Sequence, residues 1–322
     1  MIWPLLAGGA AIGGAGLALF TRSTARKVEA ALPPDGTFAD IAGNRIHYVD
    51  KGSGPALVLI HGLAGQMRNF ARSLVDDLAK DFRVVLVDRP GSGHSVRAAG
   101  ASARLGVQAE VIARLIRHLG LERPMLVGHS LGGALSLTVA ANHPELVSGL
   151  ALIAPLTQVQ EEVPPAFRGL IIGSTAVRKA IAWTVATPMG IWKSKEIVAQ
   201  VFAPEPVPAD FALAGGGALG LRPSAFEGAS ADVTAINDDL PGVVGRYGSL
   251  KLPVAILYGR EDNLLDYRIH GERTAGAIPG AHIDVIEGGH MLPFTKPEET
   301  ARFIRAAAAR GGETGRGEGS RS

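Results

Sequence analysis

The chain has 322 residues, 47% hydrophobic and 19% charged, too apolar for a disordered protein and long enough for one large domain with an elaboration. Its 32 Lys and Arg nearly balance 30 Asp and Glu, and the net +2 without a basic block speaks against a nucleic-acid partner. Cysteine is absent, which excludes thiol nucleophiles, disulfide scaffolds and Cys-held zinc or iron–sulfur clusters.

Residues 1–21 open the chain with an uncharged run, Ile2 to Phe20, diluted by Gly8, Gly9, Gly13, Gly14 and Gly16. A helix of about 20 apolar residues crosses roughly 30 Å of hydrocarbon, so this segment is expected to be a membrane anchor. Arg22, Arg26 and Lys27 follow it and would keep the rest of the chain on the cytoplasmic side. A cleaved signal peptide with export is the competing reading, and it lacks the basic stretch that should precede the apolar run.

From residue 36 onward short apolar runs alternate with helix-length segments, the pattern of an α/β protein whose mostly parallel sheet is covered on both faces. Residues 44–50, 56–60, 84–87, 125–127, 149–153, 254–258 and 282–286 read as strands bounded by Gly, Pro or Asp. Segments 69–80 and 103–119 carry apolar residues at helical spacing, and 131–142 is apolar nearly all round, as a helix covered on both sides should be. The core is expected over 36–156 and 251–310. The interval 157–250 far exceeds the few residues that usually join such elements. Its apolar stretches, 167–185 and 191–202, predict a mainly helical cap over the strand ends. Trp183, Met189 and Trp192 are expected inside that cap or on a pocket wall beneath it. Residues 311–322 lack apolar anchors and are expected to be a disordered tail.

The chemistry concentrates at four strand ends. Gly128-His129-Ser130-Leu131-Gly132 follows one predicted strand and opens a predicted helix, the setting in which a tight turn holds a serine above the sheet edge. Ser130 is the candidate nucleophile, and the Leu131 N–H, at a helix N-terminus, is a candidate oxyanion donor. His61-Gly62-Leu63-Ala64-Gly65 follows strand 56–60, where the Leu63 N–H can supply a second donor worth about 3 kcal/mol. His61 itself reads as a structural hydrogen-bonder of that loop. Asp88-Arg89-Pro90-Gly91-Ser92-Gly93-His94-Ser95 reads as a structural turn, with His94 and Ser95 bonding locally. Gly259-Arg260-Glu261-Asp262 and Gly288-Gly289-His290 each follow a strand, at the edge where open α/β sheets gather their ligand sites. Asp262 can orient the His290 ring, which takes the Ser130 proton and returns it to the leaving group, while Ser130 carries the acyl group. Glu261 and Asp266 are the fallback acids. No zincin helix and no phosphate loop occurs, so neither metal nor cofactor is called for.

With these motifs in this order, the sequence resembles the α/β-hydrolase superfamily, in its capped lipase, esterase and C–C hydrolase branch, over about residues 38 to 308. The resemblance implies an eight-stranded, mostly parallel sheet with helices on both faces and a cap after the sixth strand. Asn142-His143-Pro144-Glu145 looks like the family's usual end of the helix behind the nucleophile. Dehalogenases and epoxide hydrolases of this fold carry an aspartate where this chain has Ser130, which disfavours those activities. The expected function is serine hydrolysis of a carboxylic ester, a small-molecule substrate with an apolar acyl or alcohol group. A C–C bond hydrolase of ring-cleavage products or a lactonase is the alternative, and a non-catalytic ligand-binding protein the third reading.

Overall fold

The computed structural model describes residues 2–317, and side chains from 13 to 311. Its centre is an eight-stranded sheet formed by β1 (Thr37–Ile41), β2 (Asn44–Lys51), β3 (Ala56–Ile60), β4 (Arg83–Val87), β5 (Met125–His129), β6 (Gly149–Ile153), β7 (Val254–Gly259) and β8 (His282–Ile286). The spatial order is β1-β2-β4-β3-β5-β6-β7-β8. β2 pairs antiparallel with both β1 and β4, and every other pairing is parallel.

Strand composition decides the layering. Along β3 the side chains alternate between two apolar layers, both almost fully shielded from solvent. Val58 and Ile60 pack with the layer of α3 (Leu105–His118) and α4 (Leu131–Asn142). Leu57 and Leu59 pack with the layer of α2 (Arg72–Leu78) and the C-terminal helix. A strand apolar at every position can satisfy its period of two only by being covered on both sides, each buried branched side chain contributing about 1.5–3 kcal/mol. The same rule explains α4, which lies between β5 and β6 in sequence and is buried along ten consecutive positions. The strand missing from the sequence reading is β1. It packs only Ala39 and Ile41 inward from the sheet edge, too few apolar positions to signal a strand.

Between β6 and β7 the chain forms the helical cap, built on α5 (Thr175–Trp183), α6 (Ala186–Phe202) and α7 (Pro223–Val244). Trp183, Met189 and Trp192 are exposed at 40%, 45% and 74%, and they line neither of the two cavities that reach Ser130. The inner face of α6 carries Gly190, Ser194, Ile197, Val198 and Val201 instead.

One expectation at the termini is corrected, and the other, the anchor over 1–21, falls largely outside the described side chains. Residues Ile2–Ala31 form one helix, α1, yet no helix among the described residues is long and apolar enough to cross a membrane. Beyond Phe20 the helix turns polar and docks on the cap. There Thr21 is fully buried and donates to Thr184 O at 3.3 Å, and Val28 and Leu32 pack on Leu219. The apolar run on which the anchor expectation rests lies mostly within residues 2–12, whose side chains are outside the described residues. At the other end the last helix, α8, spans Pro297–Gly317, so the chain remains helical where a disordered tail is expected from 311. Extending a formed helix costs far less than nucleating one, and the run of alanines at 306–309 carries it forward. Residues 318–322 of that expectation lie outside the described residues.

Candidate active site

Ser130 sits between β5 and α4 with φ 53° and ψ −121°, a conformation that a non-glycine residue holds only when its surroundings enforce it. The enforcement is visible. Its N–H donates to Ile153 O at 3.1 Å, and its carbonyl accepts from Gly133 N at 2.8 Å and Leu156 N at 2.9 Å. The flanking glycines are steric requirements. A Cβ on Gly128 would meet Gly132 O at 2.5 Å, and one on Gly132 would collide with the Ile60 carbonyl. Leu131 is the first residue of α4, where backbone N–H groups have no intrahelical acceptor.

Asp262, after β7, and His290, after β8, meet as the strand order requires. His290 Nδ1 lies 2.7 Å from Asp262 Oδ2, with both side chains buried, and Asp262 Oδ1 accepts from Leu264 N and Leu265 N at 2.8 and 3.0 Å. This leaves His290 Nε2 for proton transfer. Ser130 and His290 share the walls of two cavities, although no hydrogen bond joins Ser130 Oγ to the ring. Such contacts often tighten only once substrate is bound. The fallback acids hold backbone: Glu261 accepts from Gly288 N at 2.6 Å, and Asp266 accepts from Arg268 N at 2.9 Å. His129 Nε2 lies 3.0 Å from His290 O and, as the only possible donor of that pair, fixes the histidine loop.

The two glycines before His290 also acquire a reason. A Cβ on Gly289 would run into Ala203 O and come within 2.9 Å of Glu205 Oε2, because this part of the cap rests directly on the loop. The Glu205 carboxylate accepts from Gly289 N at 3.0 Å. Neither Glu205 nor His129 was singled out from sequence, where nothing local marks a partner 84 or 161 residues away.

The His61–Gly65 segment closes the site from the β3 side. A Cβ on Gly62 would stand 2.8 Å from Ser130 Cβ and 3.2 Å from its Oγ. Gly62→Ala is therefore expected to displace the serine and lower kcat/KM by about a hundredfold, read by steady-state kinetics; wild-type kinetics in this variant would contradict the placement. His61 Nε2 accepts from Arg89 N at 3.0 Å, which assigns the ring proton to Nδ1, donating to Gly62 O at 2.9 Å. The Asp88–Ser95 turn is structural. Asp88 accepts from Met67 N and His94 N and pairs with His47 Nδ1 at 2.8 Å, while Ser95 Oγ donates to Asp88 O at 2.7 Å.

Burial, the largest influence in each case, holds three histidines neutral: His61 falls to about 4, His129 to about 3 and His270 to about 4 from 6.5. Below pH 6.5 the unfolded chain binds protons at these rings and the folded protein does not. Their stabilisation is complete above pH 6.5 and is lost as pH falls toward about 4, by up to about 1.4 kcal/mol per pH unit for each ring. Urea unfolding at pH 7, 6 and 5 should show a midpoint that falls steeply with acidity; an unchanged midpoint would contradict this.

Two cavities open on Ser130, Leu63 and His290, and Phe167 lies in the wall of both. One, of about 250 Å³, runs beneath α6 and is lined by Ile197, Val198, Val201 and Phe202. The other, of about 50 Å³, is lined by Leu156, Val163, Val233, Ile236 and Leu265. Both are mainly apolar. Among the described residues no group of His, Cys, Asp and Glu side chains has the arrangement of a metal site.

A serine on a strand-to-helix turn at the carboxyl edge of a parallel sheet, under a helical cap, defines a class of α/β enzyme. The chain belongs to the α/β-hydrolase family: the family model described as alpha/beta hydrolase fold matches residues 55–297. It is 29% identical over 306 residues to an uncharacterized protein of Mycobacterium tuberculosis, covering 87% of this chain and 82% of that one. It is 27% identical over 266 residues to a 2-hydroxy-6-oxononadienedioate/2-hydroxy-6-oxononatrienedioate hydrolase of Burkholderia vietnamiensis, covering 81% and 89% of the two chains. A thermophilic esterase from Thermogutta terrifontis superposes with TM-score 0.69 at 21% identity, covering 85% of this chain and 98% of that one, a likeness of fold alone.

Proposed function

We propose that this protein hydrolyses carboxylic esters with an apolar acyl or alcohol group through an acyl-enzyme on Ser130. The observation that carries the reading is the strained Ser130 turn, sharing two apolar cavities with a His290 ring already bonded to Asp262. Ser130 Oγ attacks the ester carbonyl carbon as His290 Nε2 accepts its proton. The N–H groups of Leu63 and Leu131 receive the negative charge on the carbonyl oxygen. The C–O bond then breaks, and the alcohol leaves with the proton from His290. Water, deprotonated by the same ring, attacks the acyl carbon and frees Ser130 with a carboxylic acid. Asp262 remains ionised throughout and steadies the imidazolium.

The substrate has two arms in this reading, one for each cavity. A p-nitrophenyl ester series from short to long acyl chains tests it with the full chain: turnover should rise with chain length until a cavity is full. Absence of turnover across the series would remove it.

A second reading, hydrolysis of a carbon–carbon bond in a diketone-like acid, is favoured by one residue. Arg222, only 5% exposed, lies in the wall of the larger cavity, where a guanidinium can hold a substrate carboxylate. That reading expects Arg222→Leu to raise KM for a carboxylate-bearing substrate about tenfold or more while leaving KM for a neutral ester within about twofold. Equal changes for both would dismiss it.

A further inference from the structure

The Arg89 side chain is fully buried, and its bonds converge on the Ser130 site from behind. Nη2 donates to Gly62 O at 2.9 Å and Nε to His61 O at 3.0 Å, while Nη1 reaches Gln108 Oε1 at 3.0 Å and Asp232 Oδ2 at 2.8 Å. The Gly62 carbonyl thus receives two donors, the Arg89 guanidinium and the His61 Nδ1–H. That carbonyl belongs to the same trans peptide unit as the Leu63 N–H. In a trans peptide the N–H lies in the carbonyl plane and points the opposite way, so fixing the oxygen fixes the direction of the N–H. Donors on the oxygen also polarise the unit and strengthen its N–H as a donor, by an estimated 10–30% per bond, and a charged donor acts most strongly.

We propose that Arg89 is a positioning residue for the oxyanion site. It aims and polarises the Gly62–Leu63 peptide toward the substrate carbonyl oxygen, and its charge is held in place by Asp232 of the cap helix α7. The inference rests on the reading of the Leu63 N–H as an oxyanion donor. The cap thereby supports the catalytic loop as well as roofing the pocket. Sequence offered no sign of this, since Asp232 lies 143 residues from Arg89.

The test compares wild type with Arg89→Lys, as full chains, on a p-nitrophenyl ester and on the thionoester in which sulfur replaces the carbonyl oxygen. Sulfur accepts hydrogen bonds poorly, so the oxygen-over-sulfur ratio of kcat reports the oxyanion donors themselves, and a purely structural role would lower both rates together. Arg89→Lys should lower kcat on the oxygen ester about tenfold or more, keep KM within about threefold, and lower the oxygen-over-sulfur ratio in step. A variant with wild-type kcat, or with reduced kcat and an unchanged ratio, overturns the inference alone. A wild type with no preference for oxygen removes the oxyanion reading and this inference with it. Should Arg89→Lys fail to fold, Asp232→Asn carries the test, because it keeps the Arg89 guanidinium and removes the counter-charge that holds it. This variant should lower kcat and the oxygen-over-sulfur ratio together; a wild-type ratio would overturn the inference.

Discussion

Alanine at position 130 is expected to lower kcat on the best p-nitrophenyl ester by about 10⁴-fold or more, with the folded state intact. The loss is large because in the proposed reaction attack, acyl transfer and deacylation all pass through one oxygen, and among the described residues no other hydroxyl stands on a comparable turn. Ser95 is committed, its hydroxyl donating to Asp88 O and accepting from His47 N. Stability should change little or rise, since alanine at φ 53° is no more strained than serine and the flanking hydrogen bonds are all backbone. Steady-state kinetics with a thermal melt on the same sample separate the two effects. Residual turnover within tenfold of wild type would mean that another group carries the reaction.

The second large effect concerns stability. Asp232, 1% exposed, accepts from Arg89 Nη1 at 2.8 Å, Arg97 Nη2 at 2.6 Å and Gln108 Nε2 at 3.2 Å. Asp232→Ala leaves the guanidinium of Arg89 buried without its counter-charge, and removing one partner of such a pair costs about 3–5 kcal/mol. Urea denaturation should show that loss, and a loss below about 1 kcal/mol would contradict the account of this pair. Replacing both by apolar residues, Arg89→Met with Asp232→Leu, removes the buried Arg89 charge and should recover part of the stability, the remainder being lost because Arg97 still lacks its carboxylate and the His61 carbonyl its donor. Turnover should not recover with it, because the Gly62 carbonyl has still lost its charged donor.

The parts of this molecule that were legible in sequence are those whose cause is local. Residues 56–60, 149–153 and 282–286 are strands with the bounds their apolar runs suggest, and 131–142 is a helix with the bounds its unbroken apolar character suggests. The glycines around Ser130 and before His290 announced close approaches, and the structure shows what approaches them: the Ile60 carbonyl in one case, the Ala203 carbonyl of the cap in the other. Of the three acids singled out after β7, Asp262, Glu261 and Asp266, it is Asp262 that bonds the His290 ring.

What sequence hid depends on tertiary partners. Helical content in the cap followed from apolar stretches, but the direction each face takes did not, and Trp192 faces outward while Val198 faces the cavity. The N-terminal run has the length of a membrane span, and its residues 2–12 have side chains outside the described residues. Its helix has a different purpose beyond Phe20, where Val28 and Leu32 meet Leu219 of the cap. Arg89 lay in plain view inside a turn motif. Its importance became visible only when α7 brought Asp232 across the top of the sheet.

The most direct test of the central claim is the site of covalent capture. The full chain, treated with a long-chain fluorophosphonate until ester turnover stops, is digested and its peptides are weighed. The account predicts one adduct per chain, on Ser130, formed at a rate that falls sharply in His290→Ala. An adduct on any other residue, or an undiminished rate of Ser130 labelling without His290, would contradict it.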